Sequence, residues 1–159
     1  MYSQLAKGYE ELYKEEQEEK LAILVKYLKV KKTDLLLDVG CGTGISTQYF
    51  PCKSVGIDPC KEMRAQGKGN LKEGSAENIP FPDKTFDVVI SITALHHADL
   101  TKALQEIKRV AKPNAQIALT LLKKTKDFPK RKKTMHQEFA NVQEIDAKKD
   151  ILFLARIEG

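Results

Sequence analysis

The apolar run Leu35, Leu36, Leu37 and Val39, interrupted only by Asp38, stops at Gly40-Cys41-Gly42-Thr43-Gly44. A short, nearly continuous apolar run marks a strand buried on both faces. The glycines after it end the strand in a turn where the backbone can bend sharply and approach a ligand closely. Residues 45–50 are expected to open a helix. Ser54-Val55-Gly56-Ile57-Asp58 then reads as a second strand whose last residue is an acid, 18 positions after Gly40. Strand, glycine turn, helix and a strand ending in a carboxylate restrict the chain to an α/β fold with a mostly parallel sheet. Ligands on such sheets bind outside the carboxyl ends of the strands.

The alternation continues. Residues 60–66 suit a short helix, 70–73 a third strand, and Ala76-Glu77-Asn78-Ile79-Pro80-Phe81-Pro82 a loop. Thr85-Phe86-Asp87-Val88-Val89-Ile90-Ser91-Ile92 is a fourth strand, and residues 101–111 keep Leu104, Ile107 and Val110 on one helical face. Pro113-Asn114 turns into a fifth strand over 116–122, and 141–147 with 150–157 lie close enough for an antiparallel hairpin. Ahead of all these, residues 9–29 carry Leu12, Leu21, Leu24, Val25 and Leu28 at helical spacing. The expected architecture is Rossmann-like and doubly wound: a mostly parallel seven-stranded sheet with a C-terminal antiparallel hairpin. It is read as one domain over residues 1–159, with an N-terminal helical segment 1–30 over the site and a basic segment 123–136.

At 159 residues and 42% hydrophobic, the chain can bury a core without staples. Cys41, Cys52 and Cys60 are an odd set with no C-x-x-C pair, so no disulfide framework and no metal site is expected. No apolar stretch approaches the ~20 residues that span a bilayer. The N-terminus has no basic start followed by an apolar run, so a cytoplasmic protein is expected. The net charge of +5 conceals an asymmetry: Lys123, Lys124, Lys126, Lys130, Arg131, Lys132 and Lys133 crowd one segment, relieved only by Asp127.

Gly40, Gly42 and Gly44 with Asp58 place a carboxylate where it can accept from ribose hydroxyls. Ile45 stands where G-x-G-x-x-G needs its last glycine, and no Gly-Lys-Ser/Thr follows the turn. A nucleoside without a pyrophosphate is the ligand left.

Four ordered motifs within residues 1–122 carry a family resemblance: Leu36-Leu37-Asp38-Val39-Gly40-Cys41-Gly42-Thr43-Gly44, then Val55-Gly56-Ile57-Asp58-Pro59 with Met63, then Gly74-Ser75-Ala76-Glu77-Asn78-Ile79-Pro80-Phe81, and Phe86-Asp87-Val88-Val89. Together they resemble the class I S-adenosylmethionine-dependent methyltransferases, closest in flavour to the quinone-biosynthesis-like and generic small-methyltransferase branch. The resemblance implies S-adenosylmethionine as cofactor. It implies Asp38 and the backbone of Gly40, Cys41, Gly42 and Gly44 near the methionine part, Asp58 on the ribose, and Met63 against the adenine. Ser75 and Ala76 would edge the adenine ring, with Glu77 compensating for the aspartate that relatives often carry at Ser75; Pro59 and Ser91 complete the set. Each residue alone also has a structural reading: Asp38 and Asp58 as caps, Met63 as core filler, 76–82 as an ordinary loop.

Transfer of an activated methyl mainly needs an acceptor held in line. His96 and His97, at the end of the fourth strand, are the candidate bases, and at most one is expected to reach substrate because neighbours diverge. Tyr2, Tyr9 and Tyr13 resemble the family's aromatic N-terminal segment that folds over the site, and equally suit packing of the helix. Ser91-Ile92-Thr93-Ala94-Leu95-His96-His97 is not the Asn/Asp-Pro-Pro-aromatic turn of amino-group methyltransferases acting on adenine, cytosine or glutamine. Cys60, in Pro59-Cys60 after strand two, reads as a helix start rather than a nucleophile. The basic segment suits RNA phosphates or an acidic small molecule, or is a solvated face. RNA is therefore the first acceptor expected and a quinone-like or other metabolite the second. A third reading is a non-catalytic cofactor-binding subunit of a partner enzyme. The short chain suggests an open site for a large substrate, or one completed by an activating protein subunit.

Overall fold

The computed structural model describes residues 2–159, with side chains from residue 11 onward. Helix α1 (Tyr2–Val25) leads into β1 (Leu35–Val39) and β2 (Lys53–Ile57). There follow α2 (Lys61–Gln66), β3 (Leu71–Lys72), β4 (Phe86–Ser91), a 3-10 turn (Leu95–His97), α3 (Leu100–Val110) and β5 (Ala111–Leu122). Helix α4 (Phe128–Glu138) and strands β6 (Gln143–Ala147) and β7 (Asp150–Arg156) close the described chain. The strands form one sheet in the order β3-β2-β1-β4-β5-β7-β6. Strands β1 to β5 run parallel, β7 lies antiparallel beside β5, and β6 pairs antiparallel with β7. Strand order reverses between β1 and β4, which opens a crevice at their carboxyl ends.

Successive strand side chains point to opposite faces. Leu36, Val88, Ile90, Ala118 and Leu152 pack on one side with Leu21, Leu24 and Leu28. Leu37, Val89, Ile117, Leu119 and Phe153 pack on the other with Leu104 and Ile107 of α3 and Met135 of α4. Both faces of the central strands are covered, which is why β1 reads as an almost unbroken apolar run.

Three local expectations are corrected. Residues 45–50 form turns and bends instead of a helix: the hydroxyls of Ser46 and Thr47 donate to Asp38, and Pro51 disfavours a helical Phe50. Helix α1 stops at Val25, and the stripe is only half buried, with Leu12 56% and Val25 47% exposed. Leu12 precedes Leu21 by two and a half turns at about 3.6 residues per turn, so it faces the opposite side. Strand β5 begins at Ala111, directly after α3, and its pairing with β4 shifts register between Phe86 and Val88.

Candidate functional site

The crevice opens into a cavity of about 450 Å³. One wall is the turn after β1. Gly40, Gly42 and Gly44 have φ of +73°, +54° and +86°, conformations in which a Cβ is strained. A Cβ on Gly40 would lie 2.3 Å from Ala94 Cβ, so this glycine lets the loop after β4 close onto the turn after β1. Asp58, just past β2, fixes the turn: its Oδ2 accepts from the Gly42 N–H at 3.0 Å and its Oδ1 from the Cys60 N–H at 2.8 Å. A carboxylate offers about four acceptor positions, so Asp58 keeps capacity toward the cavity that it lines. Pro59, Met63 and Ala76 supply apolar wall, and Gly74, Ser75 and Glu77 border them. That last stretch is held from α3, where Glu106 accepts from the Ile79 N–H at 2.9 Å and Arg109 donates to the carbonyls of Ile79 and Phe81, each at 2.9 Å.

Four expected site residues stand behind this surface rather than on it. Asp38 is fully buried; its Oδ2 accepts from Ser46 and Thr47, and its Oδ1 has no hydrogen-bond partner among the described residues. Burial raises its pKa from 3.8 to about 6, against the opposing pull of the two hydroxyls. Cys41 packs into the core against Gly56, and burial, with Asp38 and Asp58 nearby, pushes its thiol up to about 12. Gly44 lies under the Lys68 carbonyl and Leu71. Ser91 is fully buried and donates to the Val39 carbonyl at 2.8 Å, stitching β4 to β1.

The loop between β4 and α3 forms the opposite wall, through Thr93, Ala94, His96, His97 and Ala98. Both histidines line the cavity, contrary to the expectation that neighbours diverge. In a 3-10 turn consecutive side chains are only about 120° apart, and the two rings lie 3.9 Å apart between centroids, tilted by 47°. His96 is partly buried with Nδ1 unpartnered among the described residues. Burial, then His97 and Arg131, lower its pKa below 6.5.

Arg131 carried no sequence signal beyond its place in the basic segment, yet it holds this wall. Its side chain is 13% exposed and donates to the carbonyls of Leu95 at 2.9 Å, His96 at 3.0 Å and Ala98 at 3.2 Å. Lys123 pairs with Asp146 and Lys132 with Glu144, so three of the seven basic residues serve the fold. Lys124, Lys126, Lys130 and Lys133 are exposed, with no ion-pair partner among the described residues. Tyr13 of α1 reaches the cavity, its hydroxyl 3.6 Å from where a Gly42 Cβ would sit; the side chains of Tyr2 and Tyr9 lie outside the described residues. Cys60 stands at the N-cap of α2, its Sγ 3.5 Å from Glu62. Among the described residues no helix is long and apolar enough to cross a membrane.

A family model described as a methyltransferase domain matches residues 37–119, just over half of the chain. An uncharacterized protein of Methanocaldococcus jannaschii is 34% identical over 125 residues, covering 76% of this chain and 49% of that protein. Norajmaline N-methyltransferase of Rauvolfia serpentina is 35% identical over 105 residues, 56% of this chain and 36% of the enzyme. The chain thus spans half or less of the length of these curated relatives. Its fold matches a chain from a complex that contains the Haloferax volcanii Trm112 methyltransferase activator. The TM-score is 0.78 at 14% identity, covering 97% of this chain and 96% of that one. By its ordered motifs, its sheet and the family match, the chain belongs to the class I methyltransferases that use S-adenosylmethionine as cofactor.

Proposed function

We propose that this chain transfers the methyl group of S-adenosylmethionine to RNA. The observation that carries the acceptor is the set Lys124, Lys126, Lys130 and Lys133: exposed and without ion partners among the described residues, on the turn and helix that leave the carboxyl end of β5. Unpaired cations there gain from phosphate contact by releasing counterions. The residues present fit the cofactor. Asp58 retains acceptor capacity for ribose hydroxyls, the apolar faces of Pro59, Met63 and Ala76 suit a base, and Ser75 and Glu77 add acceptors at its edge. The unpartnered buried Oδ1 of Asp38 lies beneath the turn assigned to the methionine end. When bound, the cofactor supplies a methyl group already activated by its sulfonium.

The protein then has to hold an acceptor lone pair in line, about 3–3.5 Å from that methyl. His96 is assigned as the base, because a lowered pKa leaves the imidazole neutral and able to take a proton at neutral pH. Transfer to an acceptor that must lose a proton is expected to rise with pH through a value below 6.5 and then level off.

The likeness to norajmaline N-methyltransferase favours a second reading, a small-molecule acceptor. The fold match to a chain from a Trm112 complex favours a requirement for an activating subunit. The test is transfer of labelled methyl from S-adenosylmethionine by the purified protein into a source-cell extract split into RNA, protein and small-molecule fractions. Label in RNA supports the proposal; label confined to the small-molecule fraction overturns it in favour of a metabolite. Cofactor binding without any label would point to a partner-dependent or non-catalytic subunit.

A further inference from the structure

Among the described residues four non-glycine positions have left-handed backbones: Lys84, Thr93, Asn114 and Lys148. Lys84 and Lys148 stand in exposed turns and Asn114 is exposed near the start of β5, whereas Thr93, with φ of +52°, is partly buried and β-branched. For such a residue this conformation is an outlier, and strain of this kind persists only where the surroundings over-determine it. They do here. The Thr93 N–H donates to Thr120 Oγ1 at 2.7 Å, and the Thr93 hydroxyl donates to Asp150 Oδ2 at 2.7 Å while accepting from Lys20 Nζ at 2.6 Å. Lys20 and Asp150 stand 3.3 Å apart with side chains 11% and 0% exposed. Lys20 arrives on α1, Asp150 opens β7 and Thr120 lies in β5. The network therefore ties the first and last elements to the loop after β4. The next residue, Ala94, is the one that meets Gly40, and both Thr93 and Ala94 line the cavity.

A buried ion pair contributes little net stability over an apolar replacement of similar size, so this pair calls for a positional role. We propose that Lys20 is a positioning residue for methyl transfer. Its ammonium, balanced by Asp150, holds Thr93 in the left-handed turn and so sets how the loop bearing Ala94 and His96 closes on the cofactor turn. The inference rests on the cavity being the cofactor site and is independent of RNA as acceptor.

The test uses S-adenosylhomocysteine as probe, with affinity read by calorimetry and unfolding temperature followed in parallel. Lys20→Met is expected to weaken binding roughly five- to tenfold. At position 93 the order of substitutions is diagnostic. Thr93→Val keeps the volume and the strain but loses the hydroxyl with its bonds to Lys20, Asp150 and Thr120; Thr93→Gly loses the same bonds yet adopts a positive φ freely. Glycine is expected to retain more affinity than valine, and Lys20→Met is expected to have no further effect in the glycine background. Valine binding as well as the parent would overturn the proposal. So would a Lys20→Met variant that melts earlier but binds normally, or one that weakens the glycine variant by the same factor as the parent. Should Lys20→Met fail to fold, the valine-against-glycine order decides alone.

Discussion

The two walls of the cavity are built on different principles. The glycine turn of the cofactor wall is held locally, although the stretch beyond Gly74 is held from α3: Asp58 reaches the Gly42 N–H across 16 residues and Cys60 across 2, and Asp38 takes Ser46 and Thr47 from 8 and 9 residues away. The wall after β4 is assembled from a distance, with Thr93 held by Lys20 across 73 residues, Asp150 across 57 and Thr120 across 27, and the histidine turn held by Arg131 across 36. Three of those four long-range partners are charged side chains that are largely buried in the structure. All four lie outside the stretch that matches the methyltransferase family. A nucleoside site of glycines and one acid can travel as a short motif, whereas the acceptor wall depends on what each chain places around it.

Damage to the local wall should be the more severe. Gly40→Val combines a positive φ with a Cβ 2.3 Å from Ala94. It should cost about 3 kcal/mol or more, roughly a hundredfold or greater loss of S-adenosylhomocysteine affinity in calorimetry. A loss under tenfold would mean that the two walls do not meet as described.

Asp38 tests the foundation of the same wall through pH. With an unfolded value of 3.8 and a folded value of about 6, the native state holds the extra proton between those limits. Stability should therefore fall as pH rises from about 4 to about 6, by up to ~3 kcal/mol, and stay level above that. Urea titrations should show this slope in the parent and lose it in Asp38→Asn.

Asp58→Ala removes an acceptor from two backbone N–H groups and from the ribose, and about 2 kcal/mol, roughly thirtyfold, is expected in cofactor affinity. Arg131→Met sharpens the contrast from the other side. It frees three carbonyls of the histidine turn and should lower methyl transfer more than cofactor affinity, by about tenfold against less than threefold. Equal losses in both would show that the walls are not separable. The smallest effect is expected from the lysines. Neutralising Lys124, Lys126, Lys130 or Lys133 singly should reduce the salt dependence of RNA binding by about 0.7–0.9 in the log–log slope, with cofactor affinity unaffected. A Lys123→Ala control, already paired with Asp146, should change that slope less.

The legibility of the chain follows the same division. Strands β1, β2, β4 and β5 announced themselves because burial on both faces leaves apolar runs, and the C-terminal hairpin because its strands are close in sequence. The helix expected over 45–50 failed because the hydroxyls of Ser46 and Thr47 are drawn to the buried Asp38, a tertiary demand that overrides local preference. Ser91 was read with the site because it neighbours a motif, but strand alternation sends its side chain inward; the turn does the same for the side chain of Cys41, whose assignment rests on its backbone. Arg131, Lys20 and Asp150 were invisible, since a charged residue in a charged stretch reads as a surface residue until another element covers it.

The sequence by itself determined the order of the strands, the glycine turn and the acid beyond β2, because these depend on periodicity and on backbone conformations that only certain residues adopt. Only the tertiary structure decided which side chains of those motifs face the cavity. It also decided that two adjacent histidines share it, that three of the seven basic residues are spent on the fold, and that a lysine from the first helix and an aspartate opening the last strand clasp a strained threonine. Those facts are set by which surfaces meet when the sheet closes, and contacts between residues tens of positions apart leave no pattern in the order of the chain.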